Sequence, residues 1–557
     1  MTLTLKRPIT LLLLCLMLSA CSTTNTGNRL VVEPPSKSQI KSSVKDQVSM
    51  MLNAFTPVAG QALPNNTVLA TYAERGYRPI WIQDKHIAPS IYKLVTILEK
   101  ANSHGLNPIY YHVGIIKHYL SLKSPTTQQL AEMDVITTIA LSSYAHDISN
   151  GRYEPQLIDP NWQLDAPSRD WKDLLSLNTA GEMVDSLPLL APRNPQYQVL
   201  QKWLVYYQQL AKKEKDIVVQ PGSALSIGDE GPRVSQLRAR LVQLGDIRFS
   251  TRKVDEDRFD KKLKEALQSF QHRHHLSADG AAGANTIQML NVPLKKRAEE
   301  IAFNLERWRW LPNKLEANRI WVDLTNYSVD TYLNGNRTTM KTVIGKPDRM
   351  TPVFKGTMTY MVANPSWRIP HRIARENLLP KLQADPNYLG KHGFRVFSSW
   401  SIGAKELDPT RINWKNIAPE DLSFRFEQIP DEDNALGSFK FMFPNKNEIY
   451  LHDTPAKYLF RRTDRAFSSG CIRLEHAAAF AKNITNNSPQ ANVLASVMKS
   501  KKSKVITLPT YIPVYIVYFT VVPNANGMPE FRNDIYHRDE LMERAMGYKA
   551  FHVKESL

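Results

Sequence analysis

The chain has 557 residues, of which 42% are hydrophobic, and a formal net charge of +18 with histidine neutral. This length predicts two to four domains. A strongly basic protein is attracted to anionic partners, but the sequence has no nucleic-acid-binding motif and no arginine-rich block, so we expect no nucleic acid partner.

The first 20 residues have the pattern of a secretory signal peptide. Lys6 and Arg7 precede an apolar run over residues 11–18, and two small residues follow that run. The run is too short to span a bilayer, which takes roughly 20 apolar residues. We therefore predict a signal peptide over residues 1–20 that is removed from the mature protein.

Cys21 directly follows that segment and is the predicted point of membrane attachment. Residues 18–21 resemble the bacterial lipobox, whose cysteine is acylated and becomes the new N-terminus, and Ser22 after it favours the outer membrane. Residues 21–52 are polar, which predicts a lipid-anchored flexible tether. The expected location is the cell envelope, facing the periplasm. The alternative is an ordinary signal peptide followed by a chance cysteine.

Residues 53–215 have the apolar spacing of helices. This spacing predicts a helical scaffold domain. His146 beside Asp147 is more typical of a structural histidine than of a catalytic pair, so we expect no catalytic site there. Apolar residues recur there at three- and four-residue intervals, for example at Ile91, Leu94, Ile97 and Leu98.

Residues 222–293 predict a small bundle of three helices, because two apolar stripes at helical spacing lie between Gly-Asp turns. With its Phe-Gln pair and Asp-Gly turn, the segment resembles the peptidoglycan-binding type 1 domain, which implies binding to the cell wall. Three nearby histidines lack carboxylate or cysteine partners at ligand spacing, so we expect a solvated helix end there and no metal site. The stripes are Val234, Leu237, Leu241 and Leu244, then Phe259, Leu263, Ala266, Leu267 and Phe270, and the histidines are His272, His274 and His275.

The last part of the chain begins with a predicted connecting helix over residues 294–316 and continues as a β-rich domain over residues 317–524. Residues about 366–430 have a different residue pattern from the surrounding strands and predict a largely helical insertion that caps the sheet. Residues 525–557 form the C-terminal segment. The strand signals are alternating apolar residues and a hairpin turn, namely Ile320, Val322 and Leu324, then Asn334-Gly335.

Cys471 is the only cysteine left for chemistry if Cys15 is removed with the signal peptide and Cys21 is acylated. It follows Gly470 directly and lies nineteen residues after His452. A single thiol with a histidine nearby and glycine before it indicates a thiolate nucleophile with a neighbouring base. The alternative is a buried cysteine that behaves as a small hydrophobe.

The segment 452–473 resembles the catalytic motif of the YkuD-type L,D-transpeptidases, in which Ser/Thr-x-Gly-Cys-hydrophobic-Arg follows a histidine. Many members have a second histidine directly before Gly-Cys, where this chain has Ser469, so the role of base rests on His452. The order of parts is similar to that of the large periplasmic L,D-transpeptidases of Gram-negative bacteria. Further matching positions are Gly345-Lys346, Thr351-Pro352, 434–437 and Lys440-Phe441.

This resemblance implies a multidomain α+β fold and an acyl transfer without ATP. Cys471 is expected to release D-alanine from a tetrapeptide stem and hold the peptide as a thioester, with His452 as proton acceptor and donor. The side-chain amine of a second diaminopimelate then gives a 3→3 crosslink. The expected partners are the stem peptides and glycan of peptidoglycan and a membrane reached through the lipid anchor. Neither a cofactor nor a metal is expected.

The residue types around the thiol suggest further roles. The backbone N–H groups of Gly470 and Cys471 are the expected oxyanion hole. A helix that begins near residue 475 is expected to favour the thiolate through its N-terminal dipole. His452 needs an acceptor for its second ring nitrogen, and Asp453 on a strand points to the opposite face, so we expect a backbone carbonyl.

Four side chains near the thiol are candidates for substrate binding. Arg473 either binds a carboxylate of a stem peptide or forms an internal ion pair. Ser468 and Ser469 are expected to be hydrogen-bonding loop residues and not nucleophiles. Tyr450, two residues before His452, is the fourth candidate.

Two other functions fit the same motifs. A cysteine hydrolase of peptidoglycan, either an L,D-carboxypeptidase or an endopeptidase, would use the same pair with water as acceptor. A non-catalytic lipoprotein would only tie the membrane to the wall. The capping insertion favours transfer over hydrolysis, because excluding water protects a thioester.

Overall fold

The computed structural model describes residues 43–53, 65–83, 85–165, 167, 170–247, 256–500 and 502–547. The predicted signal peptide, Cys21 and most of the predicted tether lie outside these residues, as does the end of the C-terminal segment, 548–557. Within the described part of the chain, no helix combines the length and the hydropathy needed for a membrane span. The described residues from Val44 onward form one compact unit.

The N-terminal region is helical, as predicted for the scaffold. Its helices are α1 (Val44–Asn53), α2 (Asn66–Glu74), α3 (Ser90–Glu99), α4 (Val113–Leu120), α5 (Thr127–Asn150), α6 (Pro155–Ile158), α7 (Ala180–Ser186) and α8 (Pro195–Lys213), with a two-stranded hairpin of β1 (Ile82–Gln83) and β2 (His86–Ile87). The central helix α5 is buried on most sides, because small and apolar residues occupy most of its circumference. Thr126 and Gln129 cap its N-terminus reciprocally. Helix α8 packs mainly against elements that follow it in the chain.

Helix α1 corrects the predicted tether. Residues 44–52 were included in the flexible segment, but they fold as a helix that packs against α5. Val44, Val48 and Leu52 recur every four residues and are buried in the core of the helical region. The polar average over residues 21–52 hid this single apolar stripe, so the prediction of a tether is wrong for this part.

The predicted peptidoglycan-binding segment contains three helices, α9 (Pro232–Gln243), α10 (Lys261–Arg273) and α11 (Ala284–Leu290). Their apolar stripes meet in a common core, as predicted. The solvated helix end is correct for His272, which is exposed, and wrong for His274 and His275. The ring of His274 stacks on Phe531 with centroids 5.2 Å apart, and Nε2 of His275 lies 2.8 Å from Glu530.

The following region is β-rich and contains one large sheet. Its strands are β3 (Arg319–Asp323), β4 (Ser328–Leu333), β5 (Asn336–Gly345), β6 (Phe354–Ala363), β7 (Trp367–Arg368), β8 (Phe394–Phe397), β9 (Glu406–Leu407), β10 (Arg425–Gln428), β11 (Phe439–Met442), β12 (Leu451–His452), β13 (Ala466–Ser468), β14 (Ile472–Leu474), β15 (Lys504–Val517), β16 (Val521–Pro523) and β17 (Pro529–Phe531). Nine strands pair in the order β13-β5-β14-β12-β11-β6-β15-β3-β4. Because β4 also pairs with β5, the sheet closes on itself.

The prediction of a largely helical cap is wrong, because the insertion is built around a sheet. Strands β7, β10, β8 and β9 form a separate four-stranded sheet with its own apolar core. Three short helices, α13 (His371–Ile373), α14 (Leu379–Ala384) and α15 (Tyr388–Lys391), accompany it. Each of these strands has only two to four residues, too short for an alternating pattern to stand out in the sequence.

The remaining helices connect the regions or cover the sheet, namely α12 (Leu294–Arg309), α16 (Ala477–Thr485), α17 (Pro489–Ser500) and α18 (Arg538–Ala545). The predicted connecting helix ends at Arg309, earlier than expected, and is buried against α8 and α18. The C-terminal segment is folded: the hydroxyl of Tyr536 donates to the carbonyl of Gly345 at 2.6 Å and accepts from the N–H of Thr351. It therefore supports the turn after β5, which borders the candidate site.

Candidate active site

Two neighbouring parallel strands carry the candidate catalytic residues. Strand β12 ends at His452, and β14 begins directly after Cys471. The pairing aligns His452 with Arg473, and the N–H of Ile472 donates to the carbonyl of Tyr450 at 3.1 Å. Cys471 is therefore level with Tyr450, at the same end of the sheet as the imidazole.

His452 is held in one tautomer. Its Nδ1 lies 2.5 Å from the carbonyl oxygen of Asp453, which can only accept, so Nδ1 carries the proton and Nε2 is an acceptor. The predicted backbone carbonyl partner is thus confirmed. The Asp453 side chain is used elsewhere, since it accepts from Lys457 at 2.6 Å and from the N–H of Ser438 at 3.0 Å.

The surroundings of His452 keep the ring neutral. The residue is 5% exposed, and burial followed by the positive charge of Arg473 lowers its pKa from 6.5 to about 3. Lys440 and Lys457 act in the same direction. In the resting site at neutral pH the imidazole is therefore neutral, with Nε2 as a proton acceptor.

The thiol of Cys471 is free and half-buried, with Sγ 3.8 Å from the carbonyl oxygen of Glu448. Burial raises the pKa of the thiol. Hydrogen bonds from the backbone N–H and the hydroxyl of Tyr450 lower that pKa, as do the charges of Lys440 and Arg473. The thiol therefore depends on its neighbours for ionisation.

The prediction that a helix dipole favours the thiolate is wrong, because a strand lies between the thiol and the helix. Helix α16 does begin where expected, at Ala477, but β14 separates it from Cys471. Three extended residues span about 10 Å, whereas the dipole acts within about one turn of a helix end. The N-terminus of α16 is too distant to hold the thiolate.

The loop before Cys471 is fixed by internal hydrogen bonds. Gly470 adopts φ +115°, a conformation that side chains disfavour. Its N–H donates to Oγ of Ser468 at 3.1 Å, and Ser468 donates in turn to the carbonyl of Cys471 at 2.5 Å. Thr351 holds the same turn through a 2.7 Å bond to the carbonyl of Gly470. These bonds pin the nucleophile in place.

This network corrects two predicted roles. The Gly470 N–H is buried and already paired, so it is not an oxyanion donor, whereas the Cys471 N–H has no recorded partner within the described residues. Ser468 is 3% exposed and bonded on both sides of its hydroxyl, so it supports the loop and does not bind substrate.

The insertion contacts the site through two side chains that the sequence did not single out. Arg349 donates from Nη1 to Oγ of Ser469 at 2.8 Å and to Oδ1 of Asn377 at 3.0 Å, and it pairs with Glu376. Ser469 is thus exposed but tied to the cap. Burial raises the pKa of the Tyr450 hydroxyl, and the indole of Trp367 on strand β7 acts in the opposite direction, so this indole lies beside Tyr450.

Arg473 is half-buried beside the thiol. No ion pair between described residues includes it, so the alternative of an internal ion pair is not borne out in this part of the chain, and its Nε is buried without a partner. Burial lowers the pKa of the guanidinium, and the neighbouring Cys471 raises it. A buried guanidinium with unused donors is suited to an incoming carboxylate. Among the described residues there is no cluster of three or more His, Cys, Asp or Glu side chains that could hold a metal ion.

Comparison with known families assigns the three regions. Residues 66–204 match a family described as "Scaffold domain", and residues 230–290 match the "Putative peptidoglycan binding domain". Residues 317–507, which include the thiol and the imidazole, match the L,D-transpeptidase catalytic domain. The chain carries an L,D-transpeptidase catalytic domain. The resemblance in the catalytic motif is thereby confirmed.

Parts of the chain are similar to individual proteins. A "Putative L,D-transpeptidase" of Haemophilus influenzae is 31% identical over 296 residues, which are 51% of this chain and 57% of that protein. The chain thus matches little more than half of its relative's length. Solved L,D-transpeptidase structures from Xylanimonas cellulosilytica and Stackebrandtia nassauensis are 14% and 16% identical, each over 54% of this chain and over 99% and 97% of their own, with TM-scores of 0.16 and 0.20. The assignment of the L,D-transpeptidase domain rests on the sequence matches.

Proposed function

We propose that this protein is an L,D-transpeptidase that forms 3→3 crosslinks between diaminopimelate residues of peptidoglycan, with Cys471 as nucleophile and His452 as general base and acid. The observation that carries the proposal is the parallel pairing of β12 with β14. It brings a free thiol and an imidazole of fixed tautomer to one end of the sheet, inside an L,D-transpeptidase catalytic domain.

In the first step Sγ of Cys471 attacks the carbonyl carbon that links diaminopimelate to the terminal D-alanine of a stem. The thiol proton passes to Nε2 of His452, and the developing oxyanion accepts from the N–H of Cys471. The carbon–nitrogen bond then breaks, and the imidazolium returns its proton to the departing D-alanine amine. The remaining stem is held as a thioester.

In the second step the side-chain amine of another diaminopimelate attacks the thioester carbonyl. His452 takes a proton from that amine and gives it to the departing sulfur, which restores the starting state. One amide is broken and one is formed, so no external energy source is needed. The unpaired donors of Arg473 support a role in binding a stem carboxylate next to the reacting bond.

The contacts of the insertion favour an amine over water as acceptor. Arg349 ties the cap to Ser469, and Trp367 of the cap lies beside Tyr450, so the insertion lies close to the thiol. A covered site limits the access of water to a thioester. A peptidoglycan hydrolase, either an L,D-carboxypeptidase or an endopeptidase, remains the second candidate, because the same thiol and imidazole can also transfer the peptide to water.

The reaction is tested with purified disaccharide-tetrapeptide and the mature chain. We expect a dimer that lacks one D-alanine, with tripeptide as a minor product, and tandem mass spectrometry should locate the new bond between two diaminopimelates. Cys471→Ala is the matched control and should give neither product. Tripeptide as the dominant product, with no dimer at high substrate, would establish the hydrolase instead.

The proposed setting is the envelope, with a lipid on Cys21 and the wall bound through residues 222–293. Metabolic fatty-acid labelling should mark the wild-type chain and be lost in Cys21→Ser. The mature chain should also sediment with purified sacculi at physiological salt. If it sediments but gives no covalent product, the non-catalytic wall-binding lipoprotein is the better description. An unlabelled wild-type chain would leave an ordinary signal peptide.

A further inference from the structure

The positive partner of the proposed nucleophile is not its histidine. A thiolate is usually held by a nearby cation, most often the protonated form of its histidine. Here His452 is kept neutral, because burial and the charge of Arg473 lower its pKa to about 3. The charge that supports the thiolate of Cys471 has to come from another residue.

Lys440 has the position for this role. Strand β11 pairs antiparallel with β12 and aligns Lys440 with His452, so that both side chains emerge on the same face of the sheet. The Nζ atom lies 4.0 Å from the centroid of the Tyr450 ring. No ion pair between described residues includes Lys440. Its ammonium is therefore directed to the site without being neutralised by a carboxylate.

Tyr450 connects this ammonium to the sulfur. The pairing of β12 with β14 sets Tyr450 level with Cys471, and while burial raises the pKa of the thiol, the backbone N–H and the hydroxyl of Tyr450 act to lower it. Burial and then the nearby thiol raise the pKa of Tyr450 well above its ordinary value, so the hydroxyl stays protonated and can donate. A cation over the ring face draws electron density from the phenol, which strengthens that donor.

We propose that Lys440 is a positioning residue for the transfer reaction, whose ammonium acts together with Tyr450 to stabilise the thiolate of Cys471. This inference rests on the proposed function, in which that sulfur is the nucleophile. It assigns the acid–base residues separate tasks. Lys440 supplies a fixed positive charge that stabilises the sulfur as it loses its proton, and His452 accepts that proton and returns it to the departing amine.

Other charged groups near the thiol affect its pKa less than Lys440 does, or act on Lys440 itself. Arg473 also lowers the pKa of the thiol, but by less than Lys440 does, and its free donors are suited to a substrate carboxylate. Glu448 and Arg368 act on Lys440 in opposite directions, the first raising and the second lowering the pKa of the ammonium. Burial is the largest influence on that pKa and lowers it, as expected for a cation with few polar partners.

The test measures the thiol without any stem peptide. The rate of Cys471 alkylation by iodoacetamide is followed by peptide mass mapping between pH 5 and pH 10, on the full mature chain. Lys440→Met should slow alkylation at pH 7 by on the order of tenfold and move the midpoint of the profile upward. Lys440→Arg should restore most of the rate, because it keeps the charge. Lys446→Met, at an exposed lysine on a neighbouring loop, is the matched control and should behave as wild type.

Tyr450→Phe provides a second and independent variant. It should move the profile in the same direction, and the double variant with Lys440→Met should be less than additive, because the two residues act as a unit. Circular dichroism and melting of each variant check the fold. If Lys440→Met misfolds, the profiles of Lys440→Arg and Tyr450→Phe still decide the matter.

The outcomes separate this inference from the proposed reaction. A folded Lys440→Met chain with a wild-type alkylation profile overturns the role of Lys440, and so does an arginine variant that restores nothing. The alkylation profile can depend on Lys440 even if the wild-type chain makes no crosslink. That result would contradict the proposed reaction and would still support the role of Lys440 in ionising the thiol.

Discussion

The depressed pKa of His452 predicts how the stability of the protein responds to acid. The unfolded chain binds a proton on this ring near pH 6.5, whereas the folded chain does so only near pH 3. The neutral ring therefore contributes its full stability above pH 6.5, and that contribution is lost as the pH falls toward 3. Between pH 7.5 and pH 4.5 the loss from this residue alone should be about 3 kcal/mol.

His452→Asn isolates this contribution, because asparagine can keep the hydrogen bond to the Asp453 carbonyl but does not titrate. Urea unfolding followed by tryptophan fluorescence, at pH 7.5 and at pH 4.5, gives the stability change of each chain. The wild type should lose about 3 kcal/mol more than the variant. His104 and His274 also have lowered pKa values, but they are present in both chains and cancel in the difference.

Nuclear magnetic resonance gives a direct measurement on the same pair of chains. With carbon-13 on histidine, the signal missing from His452→Asn is that of His452. It should remain at the neutral position down to pH 4.5. A midpoint near pH 6.5, or equal acid losses of stability in the two chains, would refute the reasoning that burial and Arg473 keep the ring neutral.

Four further outcomes are expected. Cys471→Ala should melt within about 3 °C of wild type, because the lost side chain is small, and should form no crosslink; residual crosslinking would exclude the thiol as nucleophile. Carbapenems should add their ring-opened mass to Cys471, since a strained β-lactam carbonyl suits a thiolate, and an unmodified thiol after prolonged incubation would contradict this. Arg349→Ala should loosen the cap and raise the tripeptide-to-dimer ratio by about twofold or more; an unchanged ratio would show that the cap does not exclude water. Gly345→Ala should destabilise by about 1–3 kcal/mol, because the new Cβ would lie 2.2 Å from the Arg349 carbonyl, and an unchanged melting temperature would contradict that geometry.

The parts of the site that local rules govern could be predicted from the sequence. Side chains alternate along a strand, which sends Asp453 away from the face that carries His452 and leaves a backbone carbonyl as the partner of Nδ1. The observed 2.5 Å contact to the Asp453 carbonyl follows from that rule. The helical stripes of the first two regions depend on the same kind of short-range periodicity.

Features that depend on register or on distant segments could not be predicted. Lys440 faces the thiol only because β11 pairs with β12 in one register, and no local pattern states that register. His274 was expected in solvent because its cover, Phe531, lies far along the chain in strand β17. The Gly470 amide was expected to be free, since the hydroxyl that occupies it becomes a partner only when the loop closes.

The hydrogen bonds that hold the loop before Cys471 also connect it to the C-terminal segment and to the cap. The carbonyl of Gly470 is held by Thr351, whose own N–H donates to the hydroxyl of Tyr536 near the end of the described chain. Ser469, next to Gly470, is held by Arg349 from the same turn, and Arg349 also contacts the insertion. A shift of either the cap or the C-terminal segment is therefore transmitted through two short chains of hydrogen bonds to the backbone that carries the thiol. Because a nucleophile displaced by about 1 Å can lose on the order of a hundredfold in rate, the position of Cys471 depends on segments well outside its own motif.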